Sequence, residues 1–198
     1  MKNKIALAFV MLSAVVLLSS CSKVPQAELD AATVAIEEAR TLQADLYLPA
    51  EFNAIQDSMN SINAAIEANK GKMFANFSEV KTKLAQVTEM TAALKANTET
   101  RKAEVQAEVD AVMTEVNTLI SDAKTLVASA PKGKEGKAAV DAISTEIAAV
   151  EASAAEATTL VEQGKWIEAL DKLNAAKEKV TAVKTELETV IAKFTGKR

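Results

Sequence analysis

The chain has 198 residues, 49% of them apolar and only 4% aromatic, with a formal net charge of −4. That palette, led by Ala, Val, Leu, Ile, Thr, Glu and Lys, suits long helices packed through small side chains and argues against a β-sandwich or a ligand-binding barrel. There is no histidine and one cysteine, so imidazole metal or acid–base chemistry and an intramolecular disulfide are excluded, and the acidic balance gives no electrostatic drive toward nucleic acid.

The first element is an address. Met1-Lys2-Asn3-Lys4 is a short positive segment, followed by an uncharged run from Ile5 to Leu18. That run is too short for a membrane span, which needs about 20 residues, and has the proportions of a secretory signal. It ends Leu18-Ser19-Ser20-Cys21, which resembles the lipobox of bacterial lipoproteins: an aliphatic residue, two small residues that let a peptidase reach the scissile bond, and a thiol to be acylated. Residues 1–20 therefore read as a signal peptide and 21–24 as a lipidated N-terminus. Loss of Lys2 and Lys4 takes the charge from −4 to about −6. Ser22 follows the cysteine, and the resemblance implies from it the outer-membrane default of lipoprotein sorting, facing the periplasm. Two or three acyl chains on Cys21 anchor stably where one does not, so the mature chain is expected to be tethered to a membrane rather than to span it.

The body is expected to be all-α. Proline is favoured in first turns, and Pro25, Pro49 and Pro131 stand where helices can begin; Gly71, Gly133, Gly136, Gly164 and Gly196 fall in polar breaks or at the tail. The predicted helices run from Pro25 to Leu46, from Pro49 to Ala68, from Gly136 to Gln163 and from Trp166 to Phe194. Lys72 to Ala130 contains neither Gly nor Pro and reads as one very long helix, about 85 Å if unbroken, or as two with a soft junction. Its apolar stripe comprises Phe77, Val80, Leu84, Val87 and Leu94, then Val105, Val109, Val112, Val116, Leu119, Ala123 and Leu126. Thr98 and Arg101 sit at seam positions between, where the stripe lapses. The last helix carries Ile167, Leu170, Leu173, Val180, Val183, Leu187 and Ile191 on one face.

An internal echo accompanies this pattern. At an offset of 93, Lys72, Val87, Thr88 and Leu94 match Lys165, Val180, Thr181 and Leu187, while Met73, Phe74, Phe77 and Val80 pair with Trp166, Ile167, Leu170 and Leu173. Each copy follows a glycine, Gly71 or Gly164. The fold class read from this is an elongated antiparallel helical bundle, as two three-helix units over 25–96 and 102–194 that share the long helix in the manner of spectrin-like arrays, with a tail at 195–198.

Two motifs carry further expectations. Gln163-Gly164-Lys165-Trp166-Ile167-Glu168-Ala169-Leu170 resembles the turn and second helix of a tetratricopeptide repeat, but no 34-residue period accompanies it, and an ordinary helix–turn–helix explains it better. Tyr47-Leu48-Pro49-Ala50-Glu51-Phe52, followed by a helix and the Gly-x-Trp-x-x-Ala turn, is similar to a family of short helical domains in bacterial envelope lipoproteins, catalogued as a domain of unknown function. The resemblance implies two copies over most of the mature chain and no catalytic residues; Met73 stands where the first copy would carry an aromatic, and Pro131 lacks the Tyr and Glu of the corner.

Tyr47, Pro49, Phe52, Gly164 and Trp166 are thus candidate structural or ligand-adjacent positions, with the rings expected to plug the ends of the core. Glu104 and Glu108, near Arg101 and Lys102, and Glu37 and Glu38, beside Arg40, read as solvated helix faces. The segment Lys132-Gly133-Lys134-Glu135-Gly136-Lys137 reads as a soluble basic hairpin. The functional expectation is a non-enzymatic, membrane-tethered envelope lipoprotein acting as spacer, scaffold or adaptor toward an envelope protein partner, with no cofactor, metal or nucleic acid. Two alternatives are a helical module that binds a lipid or other amphiphile between its helices and a tetratricopeptide-like peptide-binding adaptor.

Overall fold

The computed structural model describes residues 23–130 and 134–195. The described residues form six helices and no strand: α1 Gln26–Thr41, α2 Ala44–Tyr47, α3 Pro49–Asn69, α4 Ser78–Ser129, α5 Lys134–Glu162 and α6 Trp166–Thr195. The fold is all-α. The chain divides into two compact units between Arg101 and Lys102, and α4, 52 residues long and unbroken, contributes a segment to each.

In the first unit, α1, α3 and the first part of α4 share one core of Ala32, Ile36 and Ala39, Phe52, Ile55, Met59, Ile62 and Ile66, and Phe77, Val80, Leu84, Val87 and Leu94. The α3 members, and those from Phe77, just before α4, to Val87, step by alternating three and four residues, the spacing of a left-handed knobs-into-holes seam. Direction follows from the ion pairs. Lys81 meets Glu28 at 3.3 Å and Lys95 meets Glu38 at 2.6 Å, so α1 and α4 run parallel, with α3 returning between them.

The second unit repeats this plan with the rest of α4, α5 and α6. Its buried residues include Val105, Val109, Val116, Ile120 and Ala123 on α4, Ile143, Ile147, Val150, Ala154 and Ala157 on α5, and Ala169, Leu173, Ala176, Val180, Val183 and Leu187 on α6. Lys177 pairs with Glu115 at 2.7 Å and Lys184 with Asp122 at 3.0 Å. Both partners advance by seven residues, so α4 and α6 are parallel and in heptad register. Lys124–Glu151 ties α4 to α5, and Lys172–Glu156 ties α5 to α6.

Four local departures from the sequence reading have physical causes. The first helix stops at Thr41 rather than Leu46: the Leu42 and Gln43 amides close on Glu38 O and Arg40 O, and Gln43 takes a left-handed φ of 63°. This conformation costs a non-glycine residue about 1 kcal/mol, offset by the burial of Ala44 and Tyr47 on the next turn. The long helix begins at Ser78 rather than Lys72, where the Asn76 carboxamide oxygen accepts the Ser78 amide at 2.9 Å. Gly136 lies inside α5 and is buried, not in a break.

Thr98 is the fourth. The apolar stripe lapses there in chemistry but not in packing, because Thr98 and Thr91 are both fully buried. Each hydroxyl donates to the carbonyl four residues back, Leu94 and Val87, at 2.7 Å. A threonine satisfied by its own helix costs little to bury, so the 3–4 alternation runs unbroken from Phe77 to Thr98. Arg101 is half-buried, and the next buried steps, Val105 to Val109 to Val116, are four and seven residues, a shift of register inside α4.

Candidate functional site

Leu18, Ser19, Ser20, Cys21 and Ser22 lie outside the described residues, as do Pro131, Lys132 and Gly133. The remaining candidates fall into a corner, a turn and a loop.

The corner joins α1 to α3. Leu48, kept out of the helical region by the proline that follows, has φ −137° and ψ 60°, and Pro49 opens α3 at its first position, where its missing N–H costs nothing. Phe52 then sends its ring into the core, and the Arg40 guanidinium carbon stands 5.4 Å from the ring centroid, within cation–π range. Arg40 is held by Glu37 at 2.9 Å. Tyr47 is also buried, and desolvation pushes its phenol above the usual tyrosine value. Tyr47 and Phe52 are thus each buried at this corner of the first unit, and Pro49 between them is exposed and starts the helix.

The turn joins α5 to α6. The Lys165 amide donates to Leu160 O and the Gly164 amide to Val161 O, both at 2.9 Å, the two bonds of a Schellman motif. Gly164 supplies the φ of 73° the motif requires. The next helix starts two residues later at a half-buried Trp166, and Ala169 is fully buried. Gly164 and Trp166 belong to the second unit and the corner to the first.

The loop joins α3 to α4. Lys70 (φ −57°, ψ 131°) and Gly71 (φ 83°), closed by the Lys72 amide on Asn69 O at 3.3 Å, form a type II turn. Beyond it Met73 and Phe74 are 89% and 90% exposed, while Ala75 packs on the core and Phe77 enters it. Sequence reasoning missed this tip. Phe74 precedes Phe77 by three residues, a helical spacing, and was paired with the α6 stripe; the flanking Gly71 and Asn76, both turn formers, were the signal that the spacing is accidental here.

Open grooves lie along the described helices, one of about 640 Å³ on α6 beside Asn174, Glu178 and Thr185. A groove of about 220 Å³ between α3 and α4 is lined by Ser58, Ile62, Lys83, Gln86 and Met90, and one of about 250 Å³ between α4 and α5 by Met113, Asn117, Glu151 and Thr158. Among the described residues no three His, Cys, Asp or Glu side chains gather as metal ligands, no buried side-chain polar atom lacks a partner, and no helix is long and apolar enough to cross a membrane. Glu37 and Glu38 pair with Arg40 and Lys95, and Lys137 pairs with Asp141 at 2.7 Å. No protein-family model, curated protein or solved structure matches the chain.

Proposed function

We propose that this chain is a bacterial lipoprotein, acylated at Cys21 after removal of residues 1–20, and that its two helical units act as a non-enzymatic spacer, scaffold or adaptor in the periplasm. The observation that carries the reading is the order of residues at the N-terminus: Lys2 and Lys4, an uncharged run to Leu18, then Leu18-Ser19-Ser20-Cys21. The body supports it. Each unit closes its own apolar core, the ion pairs tie neighbouring helices together, and the lysines and carboxylates are spread over exposed faces. Such a body presents helix faces to a protein partner. Ser22 after the cysteine resembles the outer-membrane default of lipoprotein sorting, which supports a tether in that membrane with the body facing the periplasm. The likeness of the Tyr47–Phe52 corner and the Gly164–Trp166 turn to helical domains of envelope lipoproteins points the same way.

The test is the mass of the mature N-terminus from cells fed an alkyne-bearing fatty acid. The expected product begins at Cys21 and carries the labelled acyl groups, and Cys21→Ala is unlabelled. An unmodified Cys21 sulfur, or an N-terminus at any other residue, overturns the reading.

A further inference from the structure

We propose that the α3–α4 loop is a second membrane contact, in which Met73 and Phe74 enter the interface of an anionic phospholipid bilayer while Lys70 and Lys72 face its phosphates; this rests on the lipoprotein reading for its anchor.

The loop is built to hold two apolar side chains outward. Five large apolar residues are exposed among those described, Val34, Leu46, Met73, Phe74 and Met90, and only Met73 and Phe74 are adjacent. Their exposure is not a failure of the core to accept an aromatic: Phe77, three residues on, is fully inserted. The loop is also pinned on both sides. The type II turn at Lys70-Gly71 fixes its entry, while Ala75 against the core and the Asn76 cap on Ser78 fix its exit. Two adjacent apolar side chains about nine-tenths exposed are free to penetrate a headgroup layer, where a groove would instead receive a peptide.

Charge agrees with the shape. From Ala68 to Ser78 there are two lysines and no carboxylate, a local charge of +2. Lys70 reaches Glu67 at 2.5 Å and Lys72 donates to the neutral Asn69 side chain at 3.1 Å, so counting Glu67 leaves +1. Long ammonium stems beside an aromatic and a methionine suit the boundary between phosphates and acyl chains.

Position within the first unit supplies the occupant. α1 and α4 are parallel, and the Glu28–Lys81 pair joins their first turns. Val24 and Ala75 pack against the same core. The loop tip and the point where the chain enters α1 are therefore at one end of this unit. Cys21 precedes Val24 by three residues, a reach of at most roughly 11 Å, so a lipid on Cys21 brings a bilayer to the end from which Met73 and Phe74 project.

The test places an indole at the tip. Trp166 is the chain's only tryptophan, so a Trp166→Phe background carries Phe74→Trp or, as reference, Leu46→Trp, which is 53% exposed at the corner on the opposite end of α3. The 21 residues of α3 separate the two sites by about 30 Å. The full chain purified from membranes is reconstituted in phosphatidylcholine–phosphatidylglycerol vesicles with brominated acyl chains, and its mass reads the state of Cys21. The expected result is a blue shift and loss of about half of the emission at position 74, with position 46 unaffected. A lipidated chain with no quenching at position 74 overturns the membrane contact and leaves the anchor standing. A bare Cys21 sulfur overturns the anchor; quenching at 74 on vesicles then still supports the contact, and its absence removes both. A blue shift that grows with protein concentration without vesicles assigns the tip to a second copy and overturns the proposal.

Discussion

The two glycine turns that the internal echo aligns, Gly71 and Gly164, take the same left-handed backbone and lead to different structures. At Gly164 the Schellman bonds return the chain at once, α6 starts at Trp166, and of the residues that follow Trp166 and Ile167 are half-buried and Ala169 is buried. At Gly71 the preceding residue is extended, the turn is type II, and the chain runs to Ser78 before the next helix, leaving Met73 and Phe74 in solvent. The difference arises one residue upstream. Both upstream amides still close their helices, Gln163 on Thr159 O and Lys70 on Ile66 O, but Lys70 then turns to ψ 131°, and the Lys72 amide reaches only Asn69 O where the Lys165 amide reaches back to Leu160 O. A positive-φ glycine licenses a change of direction; its neighbours decide which one.

The largest expected effect that sharpens this contrast lies at a pair of aligned positions. Phe77 is buried and its echo Leu170 is half-buried. Phe77→Ala is expected to lower unfolding free energy by about 3–5 kcal/mol through the cavity it leaves, and Leu170→Ala by about 1–2 kcal/mol, read from urea denaturation. Equal losses would break the contrast and restore the two sites as equivalents.

Next come the glycines themselves. Both leave open space where a Cβ would stand, so substitution tests backbone strain alone. Gly164→Ala is expected to cost about 1–2 kcal/mol, because the Schellman bonds and the immediate start of α6 leave no slack. Gly71→Ala is expected to cost less, since a single bond of 3.3 Å closes the turn at Gly71 where two of 2.9 Å close the one at Gly164. Thermal unfolding of the two variants checks the order.

The smallest effect concerns pH. Glu28, through its own backbone N–H first and then Lys81, and Glu79, through Lys83, are held below the ordinary carboxylate value of 4.5. A depressed folded-state value contributes stability above the unfolded value that fades as pH falls through the folded one. Both groups sit in the first unit, at the start of α1 and of α4. Acid titration followed by hydrogen exchange is therefore expected to loosen these first turns as pH drops below 4.5, and salt should weaken the effect because both sites are exposed. Unchanged protection there down to full carboxylate protonation would remove these pairs from the account.

Much of the fold was legible from residue order. The 3–4 spacing along Phe77–Leu94 and Leu173–Leu187, the proline at the start of α3 and the glycine before α6 each name a helix or its limit, because period and φ preference are properties of the local chain. The corner was legible in part: Tyr47, Pro49 and Phe52 marked a turn, but the break at Leu42-Gln43 did not show, since nothing in glutamine demands a left-handed φ. Thr91 and Thr98 were illegible for the converse reason. By composition they interrupt the stripe, and only the seam that covers them, with a hydroxyl satisfied inside its own helix, makes them core.

What the sequence determined by itself is helical character, the helix faces to be buried and the residue types from which chemistry could be built, since all three depend on side chains and their spacing. The tertiary structure decided where helices stop and which apolar residues stay outside. Met73 and Phe74 are as apolar as the residues that fill the core, yet they lie where the chain must cross from α3 to α4, and a crossing of fixed geometry has no partner surface to offer them.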